Sequence, residues 1–134
     1  MIIGADTGYF ISHVNNHPRA LQLWQELEAG QHILIVSTLT INEVFVYSYK
    51  RGVPQDRVQR WLSLIQETSR IELTAVSVPI AVRSAPYRHS LGLSTVDSII
   101  LATFVETGCQ IMVTADSDFQ TAHQQRVITV ELLS

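Results

Sequence analysis

Five short stretches of the chain are apolar and rich in β-branched residues, with little polar alternation: residues 1–5 (MIIGA), 32–37 (HILIVS), 70–76 (RIELTAV), 110–114 (QIMVT) and 126–130 (RVITV). Strands buried on both faces read this way, because neither face meets water. The segments between them are longer and have helical periodicity. Residues 18–29 (PRALQLWQELEA) place Leu21, Trp24 and Leu27 three apart, with Pro18 in the first turn and Gly30 as the stop. Residues 39–51 predict a second helix ended by Gly52, and residues 54–68 a third, opened by Pro54, with Val58, Trp61, Leu62 and Ile65 on one face. A fourth spans about 78–90, and a fifth, 94–107 (STVDSIILATFVET), ends at Gly108. The fifth is apolar on nearly every side, so it is expected to lie deep between other elements. Alternating strands and helices predict an α/β protein, a three-layer α/β/α sandwich with a mostly parallel, about five-stranded central sheet. The 134 residues are read as one domain, 1–134, large enough for a continuous core without disulfides or structural metals.

Composition adds three points. Charged residues make up 16% of the chain and apolar residues 46%, against about 25% charged in an average soluble domain, which predicts some apolar surface and a protein partner. The net charge of −3 and the pI near 5.9 argue against a strongly basic nucleic-acid-binding coat while leaving room for a local basic strip. The single cysteine, Cys109, lies in an apolar stretch and reads as a buried thiol in a reducing compartment. There is no signal-peptide pattern at the amino terminus, and no apolar run approaches the roughly 18 residues that span a bilayer. A soluble cytoplasmic protein is expected.

The candidate chemistry begins at Asp6-Thr7-Gly8. A retroviral-type aspartic protease builds its dyad from this tripeptide, but such a protein is almost wholly β, and here the tripeptide precedes a mainly helical chain and never recurs. An open parallel sheet binds ligands beyond the carboxyl ends of its strands. Asp6 directly follows the first strand, and Asp116 and Asp118 follow the strand QIMVT. Glu43 lies in the first turns of the helix after the second strand, about 8 Å from that edge at 1.5 Å per residue. The helix carrying Asp97 runs antiparallel to the strand it precedes, which brings its amino terminus to the same edge. Five acids from four segments therefore converge.

Singly, each acid has an ordinary explanation. Asp6, Asp116 and Asp118 can cap helices, Glu43 can be a solvated helix residue, and S-T-V-D at 94–97 has the form of a capping box with Ser94 as the cap. Together they are different, since clustered carboxylates resist ionising unless a cation compensates, and hard oxygen ligands suit Mg²⁺ or Mn²⁺. Asp97 stands out, because a charge on the most apolar helix is costly without a partner.

The pattern resembles the PIN-domain ribonucleases, especially the VapC-type toxins of toxin-antitoxin pairs. The resemblance rests on Asp6-Thr7 after the first strand, Asn42-Glu43 in the helix after the second, G-L-S-x-x-D from Gly92 to Asp97 ahead of an apolar helix, and T-x-D-x-D-F from Thr114 to Phe119. It covers nearly the whole chain in order and spacing; Ser98 departs from it by standing where the family often has alanine. The resemblance implies an acidic catalytic quartet of Asp6, Glu43, Asp97 and Asp116, with Asp118 as an additional acid. It also implies a Mg²⁺- or Mn²⁺-dependent endoribonuclease, an antitoxin partner and a homodimer. Asp6, Asp97 and Asp116 would be the metal ligands, and Glu43 would orient or deprotonate the attacking water. Thr7 and Thr114 are accessory candidates, able to hydrogen-bond these carboxylates or a phosphate oxygen, with a structural hydroxyl the plainer role for Thr114. Attack by water predicts 5′-phosphate and 3′-hydroxyl ends.

Other signals count for less. His13 and His17 have a zinc-compatible spacing, but Asn15, Asn16 and Pro18 interrupt the helix they would need to share. Lys50, Arg51, Arg57 and Arg60 surround the turn at Gly52-Val53-Pro54, either as RNA-phosphate contacts or as a solvated hairpin face. Phe45, Tyr47 and Tyr49 read as core or subunit contacts. The alternative from another class is a catalytically silent PIN-like protein-binding module, which a metal titration would distinguish. Phosphoaspartyl phosphatases and receiver domains do not fit, since T-G-Y follows Asp6 and the only lysine is Lys50.

Overall fold

The computed structural model describes residues 1–134. Five strands, β1 (Ile2–Ala5), β2 (Ile33–Ser37), β3 (Ile71–Thr74), β4 (Ile111–Thr114) and β5 (Thr129–Leu132), form one sheet in the order β3-β2-β1-β4-β5. Every pairing is parallel, with Gly4 of the central strand β1 opposite Ile35 on one side and Met112 on the other. Around the sheet lie α1 (Thr7–Val14), α2 (Pro18–Glu28), α3 (Thr38–Arg51), α4 (Gln55–Glu67), α5 (Val78–Leu91), α6 (Thr95–Glu106) and α7 (Gln120–Gln124).

Successive strand residues face opposite sides, so the sheet divides the core in two. Ile3, Ala5, Leu34, Val36 and Val113 meet Tyr9 and Phe10 of α1, Leu23 and Leu27 of α2, and Ile65 of α4. Ile35 and Met112 meet Ile100, Leu101 and Phe104 of α6 and Ala122 of α7. These are the three expected layers. Helix α6 buries Ser98 and every residue from Ile100 to Phe104, as its uniformly apolar pattern requires. Its close seat on the sheet depends on Gly4, where a Cβ would lie 2.4 Å from the Phe104 ring.

Three details differ from the sequence pattern. Helices α1 and α7 were not legible: α1 is TGYFISHV, with a glycine and β-branched residues and no clear polar face, and it is held by burial of Tyr9 and Phe10. Strand β5 starts three residues later than expected. Arg126 is left-handed (φ 61), and the Val127 amide donates to Ala122 O, so the apolar run RVI closes α7 before the chain joins the sheet at Thr129. Tyr49 is 68% exposed, so of the two roles read for it, core or subunit contact, the core one is excluded. His13 and His17 also part company. His13 packs 4.9 Å from the Trp24 ring, whereas His17 caps α2 through Nδ1 and places Nε2 2.8 Å from Ser134 O. No helix is long and apolar enough to cross a membrane.

Candidate active site at the carboxyl edge of the sheet

All five acids lie toward the carboxyl ends of β1, β2 and β4, four of them placed by an element terminus and Glu43 by the second turn of a helix. Asp6 follows β1 and caps α1, with its Oδ1 accepting from the Tyr9 amide at 3.0 Å. Its Oδ2 accepts from the Thr114 hydroxyl at the end of β4, at 2.5 Å. Thr114 Oγ1 in turn accepts from the Asp116 amide at 3.0 Å, so one fully buried hydroxyl ties the ends of β1 and β4 to each other. Asp116 caps the 3-10 turn Ser117–Phe119 by accepting from the Asp118 amide at 2.9 Å. Ser94 caps α6 by accepting from the Asp97 amide at 3.2 Å, which fixes Asp97 in the first turn. Glu43 lies in the second turn of α3, where its Oε1 accepts from the Thr7 hydroxyl at 2.6 Å.

The capping roles read from the sequence are thus real for Asp6, Ser94 and Asp116, and they hold the carboxylates in place without excluding another use. One oxygen from each of Asp97, Asp116 and Asp118 lies within 4.8 Å of the others. Asp6 lies outside that tight group and deeper, only 5% exposed. Burial, opposed by the bonds from Thr114 and Tyr9 and reinforced by the charges of Asp97 and Glu43, raises its pKa from the usual 3.8 to about 7. Asp97 is raised as well, by burial first and then by Asp116 and Glu43. Asp97 therefore links the two ends of the cluster, since its charge acts on buried Asp6 and it feels Glu43, Asp116 and Asp118 in turn. An all-oxygen donor set of mutually repelling carboxylates fits a hard divalent cation such as Mg²⁺ or Mn²⁺.

Gly8 shapes the site by its lack of a side chain. A Cβ there would meet the Ala115 amide at 2.9 Å and Asp6 Oδ1 at 3.3 Å, so the glycine lets the first turn of α1 close against the segment bearing Asp116. A glycine in a first helical turn, where it is a poor helix former, was the available signal. The expected basic hairpin is present at the end of α3 and the start of α4. Between α1, α3 and α4 lies an apolar groove of about 160 Å³, lined by Phe10, Val14, Val44, Tyr47, Val58 and Trp61.

A wholly parallel α/β/α sandwich with acids gathered at the carboxyl edge defines a class of acid-centred sheet proteins. Within it, the PIN-domain family model matches residues 4–123, and the chain belongs to the PIN-domain family. Solved structures of VapC-type toxin-antitoxin proteins share the fold. A toxin-antitoxin complex from Klebsiella pneumoniae is 28% identical, with 87% of this chain and 89% of that one covered and a TM-score of 0.66. VapBC2 from Rickettsia felis, bound to a fragment of promoter DNA, is 18% identical over all of both chains, with a TM-score of 0.73. VapC20 of Mycobacterium tuberculosis, a toxin that cleaves the sarcin-ricin loop, is 20% identical, with 90% and 94% covered and a TM-score of 0.69. No curated protein matches the chain by sequence.

Proposed function

We propose that this protein is a Mg²⁺- or Mn²⁺-dependent endoribonuclease and the toxin of a toxin-antitoxin pair. The observation that carries this reading is the convergence of carboxylates from four chain segments, with three oxygens inside 4.8 Å beside a buried Asp6 that resists ionising. Membership of the PIN-domain family, with a sarcin-ricin-loop-cleaving toxin among the proteins of the same fold, supports it.

Asp97, Asp116 and Asp118 would hold the cation, with Asp6 completing the set from below. A bound divalent ion supplies positive charge at the scissile phosphate and a lowered pKa for water. Glu43 is held at Oε1 by Thr7, which leaves Oε2 to accept a proton from the attacking water and so orient it toward phosphorus. Thr114 keeps Asp6 and the Asp116 backbone in fixed relation. Water attack leaves 5′-phosphate and 3′-hydroxyl ends.

The groove between α1, α3 and α4 supports an antitoxin as partner, because apolar side chains lining a surface groove are stabilised when a partner covers them. The exposed Val78 and Val82 of α5 support a homodimer burying on the order of 1,200–2,000 Å² in total. Total RNA incubated with the purified protein, with and without Mg²⁺ or Mn²⁺, tests the activity by end mapping. Cleavage that continues undiminished in excess EDTA overturns the metal-dependent reading. Light scattering at high micromolar concentration tests the dimer, and co-purification of adjacent-gene products tests the antitoxin.

A further inference from the structure

The chain is acidic overall, yet its positive charge is concentrated. Residues 44–60 carry Lys50, Arg51, Arg57 and Arg60 against one carboxylate, Asp56, a formal +3, which leaves −6 on the remainder of a chain whose net charge is −3. Arg60 reaches Asp56 at 3.4 Å in the open, a pair of little energetic weight. Lys50, Arg51 and Arg57 meet no carboxylate, whereas Arg19 and Arg83 are paired with Glu131 and Glu106.

Of these groups, Lys50 and Arg51 end α3 and Arg57 and Arg60 lie on α4, and α3 is the helix that also carries Glu43. At roughly 100° per residue, Val44, Tyr47 and Ser48 share the face that lines the apolar groove. Asn42, Val46 and Tyr49 share the opposite face, and all three are exposed. Glu43 and Lys50 are seven residues apart, so they fall within about 20° of each other and about 10 Å apart along the axis. One side of α3 thus leads from the half-buried carboxylate beside Thr7 to an exposed ammonium that meets no carboxylate, with the exposed Tyr49 ring about 100° round the helix from that ammonium. Arg51 falls on the groove side instead, where its guanidinium lies over the Tyr47 ring, 5.0 Å from the centroid.

Aromatic rings that stack bases, next to cations that take phosphates, are how proteins hold single-stranded nucleic acid. We infer that the exposed side of α3 that carries Tyr49 and Lys50, with Tyr49 as stacking platform and Lys50 as phosphate contact, is the track along which single-stranded RNA approaches the carboxylates. This rests on the ribonuclease reading. An acidic protein segment would also satisfy the cations, but the continuity of the line with Glu43 favours the strand that must reach Glu43.

The probe is a 5′-fluorescein single-stranded RNA of mixed sequence and about 12 nucleotides, within the footprint of single-strand-binding folds. Its affinity is measured by anisotropy in EDTA at several salt concentrations, and its cleavage separately in Mg²⁺. Tyr49→Ala should weaken binding roughly five- to a hundredfold, as loss of one stacked base does, and Tyr49→Phe should restore it. Lys50→Ala should lower the salt slope by about one. Equal affinity and slope in wild type and these variants, with wild-type cleavage intact, overturn the track alone. A wild-type protein that neither binds nor cleaves RNA overturns the ribonuclease reading and the track with it. Variants that dissociate a dimer, while each protomer keeps its RNA affinity, assign this face to a second copy and also overturn the track.

Discussion

Replacing Asp6 by asparagine separates a cap from a ligand, because asparagine caps a helix as well as aspartate does. The pKa of Asp6 is raised from 3.8 to about 7, a difference near 3, and at about 1.36 kcal/mol per pKa unit the ionised form is disfavoured by about 4 kcal/mol. The sign follows from proton counting. Between about pH 4 and pH 7 the folded protein keeps a proton that the unfolded chain has lost, so metal-free stability falls as pH rises through that window. Asparagine removes this penalty but does not match both hydrogen-bond donors. Its oxygen can accept from Tyr9, and its amide then faces the Thr114 hydroxyl that donates to aspartate, a mismatch of about 1–3 kcal/mol. At pH 8 in EDTA, Asp6→Asn should therefore be more stable than wild type by about 1–3 kcal/mol, and at pH 5 the gain should vanish. With Mg²⁺ at about ten times its Kd, wild type should gain about 1.4 kcal/mol that the variant lacks, and RNA cleavage by the variant should collapse. Thermal melts at both pH values, with EDTA and with Mg²⁺, read all three effects. Equal Mg²⁺-induced shifts and equal cleavage in the two proteins would refute the reasoning and return Asp6 to a purely structural cap.

Asp118→Asn should weaken Mg²⁺ binding roughly tenfold, a loss of about 1.4 kcal/mol, as measured by calorimetric titration; an unchanged Kd would make Asp118 a surface residue only. Thr114→Val removes a donor from buried Asp6 and an acceptor from the Asp116 amide, so urea denaturation should show a loss of about 1–3 kcal/mol. That loss should be larger at pH 8 than at pH 5, because the bond from Thr114 favours the ionised form of Asp6 and its removal lifts the Asp6 pKa above about 7. Gly4→Ala drives a Cβ into the Phe104 ring, and calorimetry should show about 1–3 kcal/mol of destabilisation from overpacking. A melting temperature equal to wild type would mean that α6 shifts freely on the sheet.

The order of elements and the identity of the acids were legible in the sequence because each depends on local pattern. Continuous β-branched runs marked buried strands such as ILIV, proline and glycine marked the ends of α2, α3 and α4, and strand-end positions marked Asp6 and Asp116. The antiparallel return of α6 was enough to bring Asp97 to the same edge. Tertiary structure decided what local pattern does not encode. Helix α1 exists because Tyr9 and Phe10 find a core, not because TGYFISHV favours a helix. The start of β5 depends on how α7 closes at Arg126, which an apolar run cannot announce. At the site, the sequence offered Thr7 and Thr114 as hydroxyls for the carboxylates or a phosphate oxygen, and only folding paired them with Glu43 and Asp6 in particular, across 36 and 108 residues. Folding likewise set Asp6 deep and Asp118 beside Asp97, since depth depends on the atoms that surround a group, and those atoms come from distant segments of the chain.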